Sequence, residues 1–239
     1  MSAHDSTDAL DLLRNGEVEL VGRMVNSSNA TFLVTVTDGD YPERTTRAIY
    51  KPLRGERPLW DFEPGLHRRE VAAWELSRAL GLDLVPPTVL RDGPFDEGSF
   101  QLFIEADPRH HYFNLFEERP DLHDALRDFA FFDIVANNTD RKGGHLLVDP
   151  DDHVWGIDHG VCFAADFKLR TVIWEFAGEP IPERLLDAAA PLIDSVPLPL
   201  AVLLADDEVE ALRERVSWLL DNPTFPVDHS GRRYPWPLV

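Results

Sequence analysis

Apolar and polar residues alternate with period two over the first quarter of the chain. "EVELVGRM", "TFLVTVTD" and "TRAIYKPL" are rich in β-branched residues and separated by polar turns, a pattern that predicts three strands of an antiparallel meander. Ahead of them "DALDLLRN" predicts a short helix capped by Ser6 or Thr7 and closed by Gly16. The period then lengthens: "HRREVAAWELSRALG" sets Ala72, Leu76, Ala79 and Leu80 on one helical face and ends at Gly81, before a break at Pro86-Pro87. "SFQLFIEA" predicts one more short strand.

The second half has a different character. "DLHDALRDFAFFDIVANN" carries apolar residues at 122, 125, 126, 129, 132 and 136, the stripe of a buried helix. "HLLV" and "VWGID" flank the turn "DPDDH", which predicts a β-hairpin over 145–158. "IPERLLDAAAPLI" and "DDEVEALRERVSWLLD" are helical, with proline punctuation. The pattern predicts an α+β protein of two lobes: residues 1–106 built on a small antiparallel sheet, and residues 107–239 mainly helical.

Composition narrows the class. The 239 residues are 44% hydrophobic and 28% charged, enough for a substantial core. No run approaches the roughly 18 to 20 apolar residues of a membrane span, and "MSAHDSTDAL" lacks the pattern of a signal peptide, so a cytoplasmic location is expected. The formal net charge of -20, from 43 acids and 23 bases, opposes binding to nucleic acid and stable association with anionic membranes. Cys162 is the single cysteine, which agrees with a reducing compartment.

The candidate chemistry follows an order along the chain. Lys51 stands in the third strand, Glu70 opens the next helix, and Asp140 and Asp158 stand at the two ends of the hairpin region. Taken singly, each has an ordinary structural reading: a surface lysine, a glutamate at a helix start, a turn aspartate, a strand-end cap. Together they match the needs of phosphoryl transfer from a nucleoside triphosphate, in which charge is neutralised, a metal is held by oxygen, and an acceptor is oriented. Lys51 reaches the phosphates, Glu70 orients Lys51, Asp158 chelates a divalent metal, and Asp140 takes or aligns the acceptor proton. Between the first two strands "VNSSNATF" has no glycine, but Ser27, Ser28, Asn29 and Thr31 offer polar donors to a phosphate. His110 and His111 are adjacent and point in different directions, so they suggest no zinc site.

On "NNTDRKGGHLL", "GIDHG", "YKP" and "REVAAWELSRALGLDLVPPTV", residues 17–165 resemble the atypical kinases of the phosphatidylinositol 3-/4-kinase and HipA-type branch, and more closely an actinobacterial group related to it. The resemblance implies a protein-kinase-like fold, ATP, and Mg²⁺ or Mn²⁺. It implies that Asp140 and Arg141 belong to the catalytic loop, and that residues 101–106, with Gln101, Phe103 and Ile104, form a hinge whose backbone binds adenine. In that branch the loop reads Asp-Arg, three variable residues, then a metal-binding Asn; here His145 stands at that last position. An imidazole there shifts the expected preference toward Mn²⁺, with binding that weakens near the ordinary histidine pKa of about 6.5. The implied activity is phosphotransfer to a small-molecule or protein hydroxyl. A nucleotide-binding pseudokinase and a protein nucleotidyltransferase use the same residues and stay open.

Overall fold

The computed structural model describes residues 3–25 and 29–239. Helix α1 (Ala3–Asn15) leads into β1 (Glu17–Arg23), β2 (Phe32–Thr37) and β3 (Thr45–Pro52), followed by α2 (Leu66–Ala79), β4 (Thr88–Asp92) and β5 (Glu97–Leu102). These strands form one sheet in the order β1-β2-β3-β5-β4, with every neighbouring pair antiparallel. β4 is a strand that the pattern does not predict, because Pro86-Pro87 reads as a break. The prolines stand just ahead of the strand, where their missing N–H groups leave the ladder intact, and Thr88–Asp92 pairs with Gln101–Glu97. Because α1 begins at Ala3, Ser6 and Thr7 lie within the helix and not at its cap.

Burial alternates along β3 as a half-buried strand requires. Ala48 and Tyr50 are buried with Val34, Val36, Phe100 and Leu13 of α1, and the Tyr50 ring stacks on Phe100 at 4.4 Å. Ile49 and Lys51 alternate with them along the strand and are only partly buried. β5 ends at Leu102, earlier than the expected strand, as Phe103 turns its N–H to the Arg47 carbonyl at 3.0 Å.

The remaining elements are α3 (Tyr112–Glu118), α4 (His123–Val135), β6 (Leu146–Val148), β7 (Val154–Gly156), α5 (Glu183–Ala189), α6 (Pro191–Asp194), α7 (Leu198–Ala201) and α8 (Asp206–Asp221). Helix α4 is central: Phe129, Phe131, Phe132 and Val135 are buried against Leu212, Val216 and Leu219 of α8 and Leu146 and Val154 of the β6–β7 hairpin. The hairpin approaches α4 so closely that a Cβ on Gly156 would stand 2.4 Å from Phe129 Cε1. Ala72, Trp74, Leu76 and Leu80 of α2 are part of this same core. Helix α2 therefore packs on β4 and β5 of the sheet and also joins the core of the helical lobe.

The start of α2 is fixed by charge. Gly65 precedes it with φ of +115°, a conformation open to glycine. The Glu56 carboxylate accepts the backbone N–H of Gly65 and of His67, both at 2.8 Å, and pairs with His67 Nδ1 at 2.9 Å. The other ring nitrogen lies 3.2 Å from Glu97 Oε1. Burial pulls the His67 pKa down, but the bonds and charges of Glu56 and Glu97 outweigh it and the pKa is raised. A raised folded pKa gives stability that is present in full below the unfolded value of about 6.5 and is lost as pH climbs through the folded value. The gap in unfolding free energy between wild type and His67→Gln, measured by denaturant titration, is therefore expected to be widest near about pH 5.5 and to narrow above about pH 7. A gap that is the same at every pH would contradict a paired imidazolium.

Candidate active site

β3, α2 and the turn after β7 meet at one carboxylate. Glu70, on the first turns of α2, is only 3% exposed; one of its oxygens takes the Lys51 ammonium and the other accepts the His159 N–H at 2.9 Å. Lys51 Nζ is also 2.7 Å from Asp158 Oδ1. Burial works against the charged amine, yet Asp158 and Glu70 outweigh it and its pKa is raised. Lys51 in turn is the main cause that holds the Asp158 carboxyl well below the usual range. Asp158 adopts φ of +61°, a left-handed conformation that aspartate tolerates better than most side chains. Its carboxylate remains half-exposed.

The loop after α4 supplies the second acid. The Asp140 N–H donates to Asn138 Oδ1 at 3.0 Å, and its Oδ2 lies 2.9 Å from Lys142 Nζ. Burial raises the Asp140 pKa against the pull of Lys142, which suits a carboxylate to accepting a proton. Lys142 is absent from the residues expected from sequence, although a cation two positions after the acid was a legible signal. His145 Nε2 points to Asp158 Oδ2 at 3.4 Å, and its Nδ1 faces the Lys142 N–H at 3.4 Å. Burial lowers the His145 pKa to about 4, so the titration expected near 6.5 is corrected downward and the ring is neutral at pH 7.

Arg141 is placed beneath the cleft, not in it. It is fully buried, with Nε and Nη2 on Asp133 at 2.9–3.1 Å, Nη1 on the Ile157 carbonyl at 3.1 Å, and Nη2 2.6 Å from His159 Nε2. The expectation that it is a catalytic residue is corrected: a guanidinium with 0% exposure touches no substrate, and it positions the loop instead. Asp133 also accepts Asn138 Nδ2 at 3.0 Å and Thr171 Oγ1 at 3.2 Å. Its signal in the sequence was an acid inside the apolar stripe "FAFFDIV", where a lone buried charge demands a partner.

The expected nucleotide contacts fare unevenly. Ser27 and Ser28 lie outside the described residues. Asn29 Oδ1 accepts the Arg57 N–H at 2.9 Å, tying the β1–β2 turn to the segment after β3. Thr31 is buried at the end of that turn, its carbonyl taking the Met24 N–H, and is not presented to a ligand. The Gln101 side chain is buried on Thr88 Oγ1 at 3.0 Å, between β4 and β5. Phe103 spends its N–H on Arg47 and its ring on the Arg47 guanidinium, 4.4 Å away, which leaves the backbone from Ile104 onward as the stretch just past the sheet.

Among the described residues no group of three or more His, Cys, Asp or Glu side chains is arranged to hold a metal by itself. A divalent cation at a nucleotide site needs no such cage, since one or two carboxylates suffice beside phosphate oxygens and water. Asp158, half-exposed with His145 at its other oxygen, fits that role.

A strand lysine paired with a helix glutamate, beside two acids carried by a loop and hairpin under a five-stranded sheet, defines a kinase-like fold. Most of the chain is similar in structure to two solved proteins. Hydra Fam20, in a structure with sugar, has a TM-score of 0.57 at 15% identity, over 92% of this chain and 88% of that one. The Helicobacter pylori proinflammatory kinase CtkA has a TM-score of 0.51 at 13% identity, over 89% and 94%. Residues 90–199 match the family described as phosphatidylinositol 3- and 4-kinase. Protein Rv2133c of Mycobacterium tuberculosis is 39% identical over 99% of this chain and 97% of its own length. The chain belongs to one family with Rv2133c, and its residues 90–199 carry the similarity to the phosphatidylinositol 3- and 4-kinases.

Removing one member of a buried ion pair strands the other charge, at a cost of about 3–5 kcal/mol. Arg141→Ala is expected to lower the unfolding free energy by about that amount in urea titration. A loss of under about 1 kcal/mol, the range of exposed pairs, would show that Asp133 and Arg141 do not carry the loop.

Proposed function

We propose that this protein transfers the γ-phosphoryl group of ATP, with a divalent cation, to the hydroxyl of a small molecule or protein. The observation that carries the reading is the Lys51 amine held between Glu70 and Asp158, with Asp140 on the loop that leads into the same hairpin. In the reaction the bond from the γ-phosphorus to the ADP oxygen breaks, a bond to the acceptor oxygen forms, and the acceptor proton passes to Asp140. Lys51 turns from Asp158 toward the phosphates while Glu70 keeps hold of it. Asp158, with His145 beside it, would hold the cation, which would neutralise phosphate charge when bound. Lys142, 2.9 Å from Asp140, supplies a second cation on the acceptor side. A lipid headgroup is the less favoured acceptor for a chain of net charge -20, and no described helix is long and apolar enough to cross a membrane.

A second reading, nucleotide binding without turnover, is favoured by His145 standing where the family's loop has an amide. Incubation with ATP and Mn²⁺ followed by mass spectrometry separates the outcomes. Formation of ADP supports phosphotransfer; pyrophosphate with a nucleotide adduct supports nucleotidyl transfer; an unchanged ATP pool supports binding alone. We expect Asp140→Asn to bind ATP as wild type does and to form ADP at least about 10²-fold more slowly. Full activity in that variant removes Asp140 from the chemistry.

The cation is tested by calorimetric titration of ATP with Mn²⁺ and with Mg²⁺. Asp158→Ala should lose the metal-dependent part of the affinity. A neutral imidazole favours the softer ion, so wild type should prefer Mn²⁺ and His145→Asn should reduce that preference. Because the folded His145 pKa is about 4, the preference should persist from pH 7.5 down to about pH 5. An equal Mn²⁺ to Mg²⁺ ratio in wild type and His145→Asn excludes the ring from the site.

A further inference from the structure

Segment 233–239 lies against the loop that carries Asp140. The Leu238 carbonyl accepts the N–H of Gly143 at 2.7 Å. A Cβ on Gly143 would stand 3.3 Å from Val239 Cγ2 and from Phe113 Cε2, and 3.4 Å from the Leu238 carbonyl oxygen; one on Gly144 would stand 3.7 Å from Val239 Cγ1. Two successive glycines thus leave the loop backbone bare, and the segment fills the room beside it. At its other end the Arg233 carbonyl accepts the Thr171 N–H at 3.1 Å and the Trp174 indole N–H at 3.3 Å. Thr171 belongs to a stretch that pairs with the loop, through Arg141 N–H to the Arg170 carbonyl at 3.0 Å and Val172 N–H to the Arg141 carbonyl at 3.1 Å. The segment therefore spans both backbones that border Asp140.

It is held mainly through main-chain bonds, while Trp236 and Val239 remain 86% and 56% exposed. Capture of exposed backbone groups by an extended chain is how proteins bind peptides with little regard to sequence. A polypeptide acceptor has to lay its backbone past the acid that receives its hydroxyl proton, and here the donors at Gly143 and Thr171 are already taken. We infer that segment 233–239 occupies the peptide-binding edge beside Asp140, so that the acceptor of this protein is a small molecule. The inference rests on the reading of Asp140 as the acceptor-side residue.

The test uses the full chain, as wild type and as the double variant Leu238→Glu with Val239→Glu, which sets carboxylates against the apolar contact with Phe113 at Gly143. The probes are labelled ATP with Mn²⁺ and dephosphorylated casein, an unfolded polypeptide. Wild type should leave casein at background, and the variant should label it about tenfold faster or more, with ADP formation in the absence of casein and the ATP-induced thermal shift unchanged. Equal labelling by the two proteins overturns the inference, as does a variant that forms ADP but leaves casein unlabelled. Hydrogen exchange at the Gly143 and Thr171 amides decides the matter independently of turnover. Both amides should exchange slowly in wild type with or without casein, and faster in the variant unless casein is added. Equal exchange in the two proteins overturns the proposal; the expected exchange without ADP from either protein counts against phosphotransfer and leaves the occupied edge standing.

Discussion

The buried pair of Asp133 and Arg141 is the constraint on which the rest of the site hangs. A guanidinium at 0% exposure is tolerable only if its donors are met, and here they are met by elements that must therefore converge. Asp133 comes from α4, the Ile157 carbonyl from the end of the hairpin, and His159 Nε2 from the turn beyond it. Since His159 Nε2 faces a nitrogen that can only donate, the ring accepts there, and burial keeps it neutral by lowering its pKa. The same residue's backbone N–H then reaches Glu70, and Glu70 reaches Lys51. One line of hydrogen bonds runs from the centre of the helical lobe to the sheet.

That line has a consequence for how the lobes work together. Glu70 takes its two partners from opposite lobes, and α2 buries Ala72, Trp74 and Leu76 in the helical core. Arg69 adds a bond to the Cys162 carbonyl at 2.8 Å and an ion pair with Glu208 of α8 at 2.5 Å. The glutamate is thus fixed before any ligand arrives, and the lysine is what remains to move. In a chain with 20 more acids than bases, Lys51 and Lys142 are set among Glu70, Asp140 and Asp158, so an anionic nucleotide would need a divalent cation beside the two lysines to offset its charge.

Lys51, Glu70, Asp140 and Asp158 were legible because their order along strand, helix, loop and hairpin reflects a fixed route through the fold, and the two periods of apolar residues mark those elements. β4 was hidden by the prolines before it, and α3 (Tyr112–Glu118) by a stretch that reads as a boundary between lobes. Arg141 was misjudged because sequence spacing places a residue on a loop without saying which way it faces. Thr31 is buried although its sequence context reads as an open polar turn, and Gln101, expected at a hinge through its backbone, stands inside β5 with partners on both sides in β3 and β4. Asp133 and Lys142 had signals that only become specific once Arg141 and Asp140 are in place.

On the proposed function, Lys51, now shared by Glu70 and Asp158, is the phosphate ligand of a nucleotide site. A crystal structure of the protein with a non-hydrolysable ATP analogue and Mn²⁺ tests it most directly. Lys51 is expected to keep Glu70, to leave Asp158 Oδ1 for a phosphate oxygen, and to free the Asp158 carboxylate for the metal. A nucleotide bound elsewhere, or one bound with the 2.7 Å contact between Lys51 and Asp158 undisturbed, would contradict it.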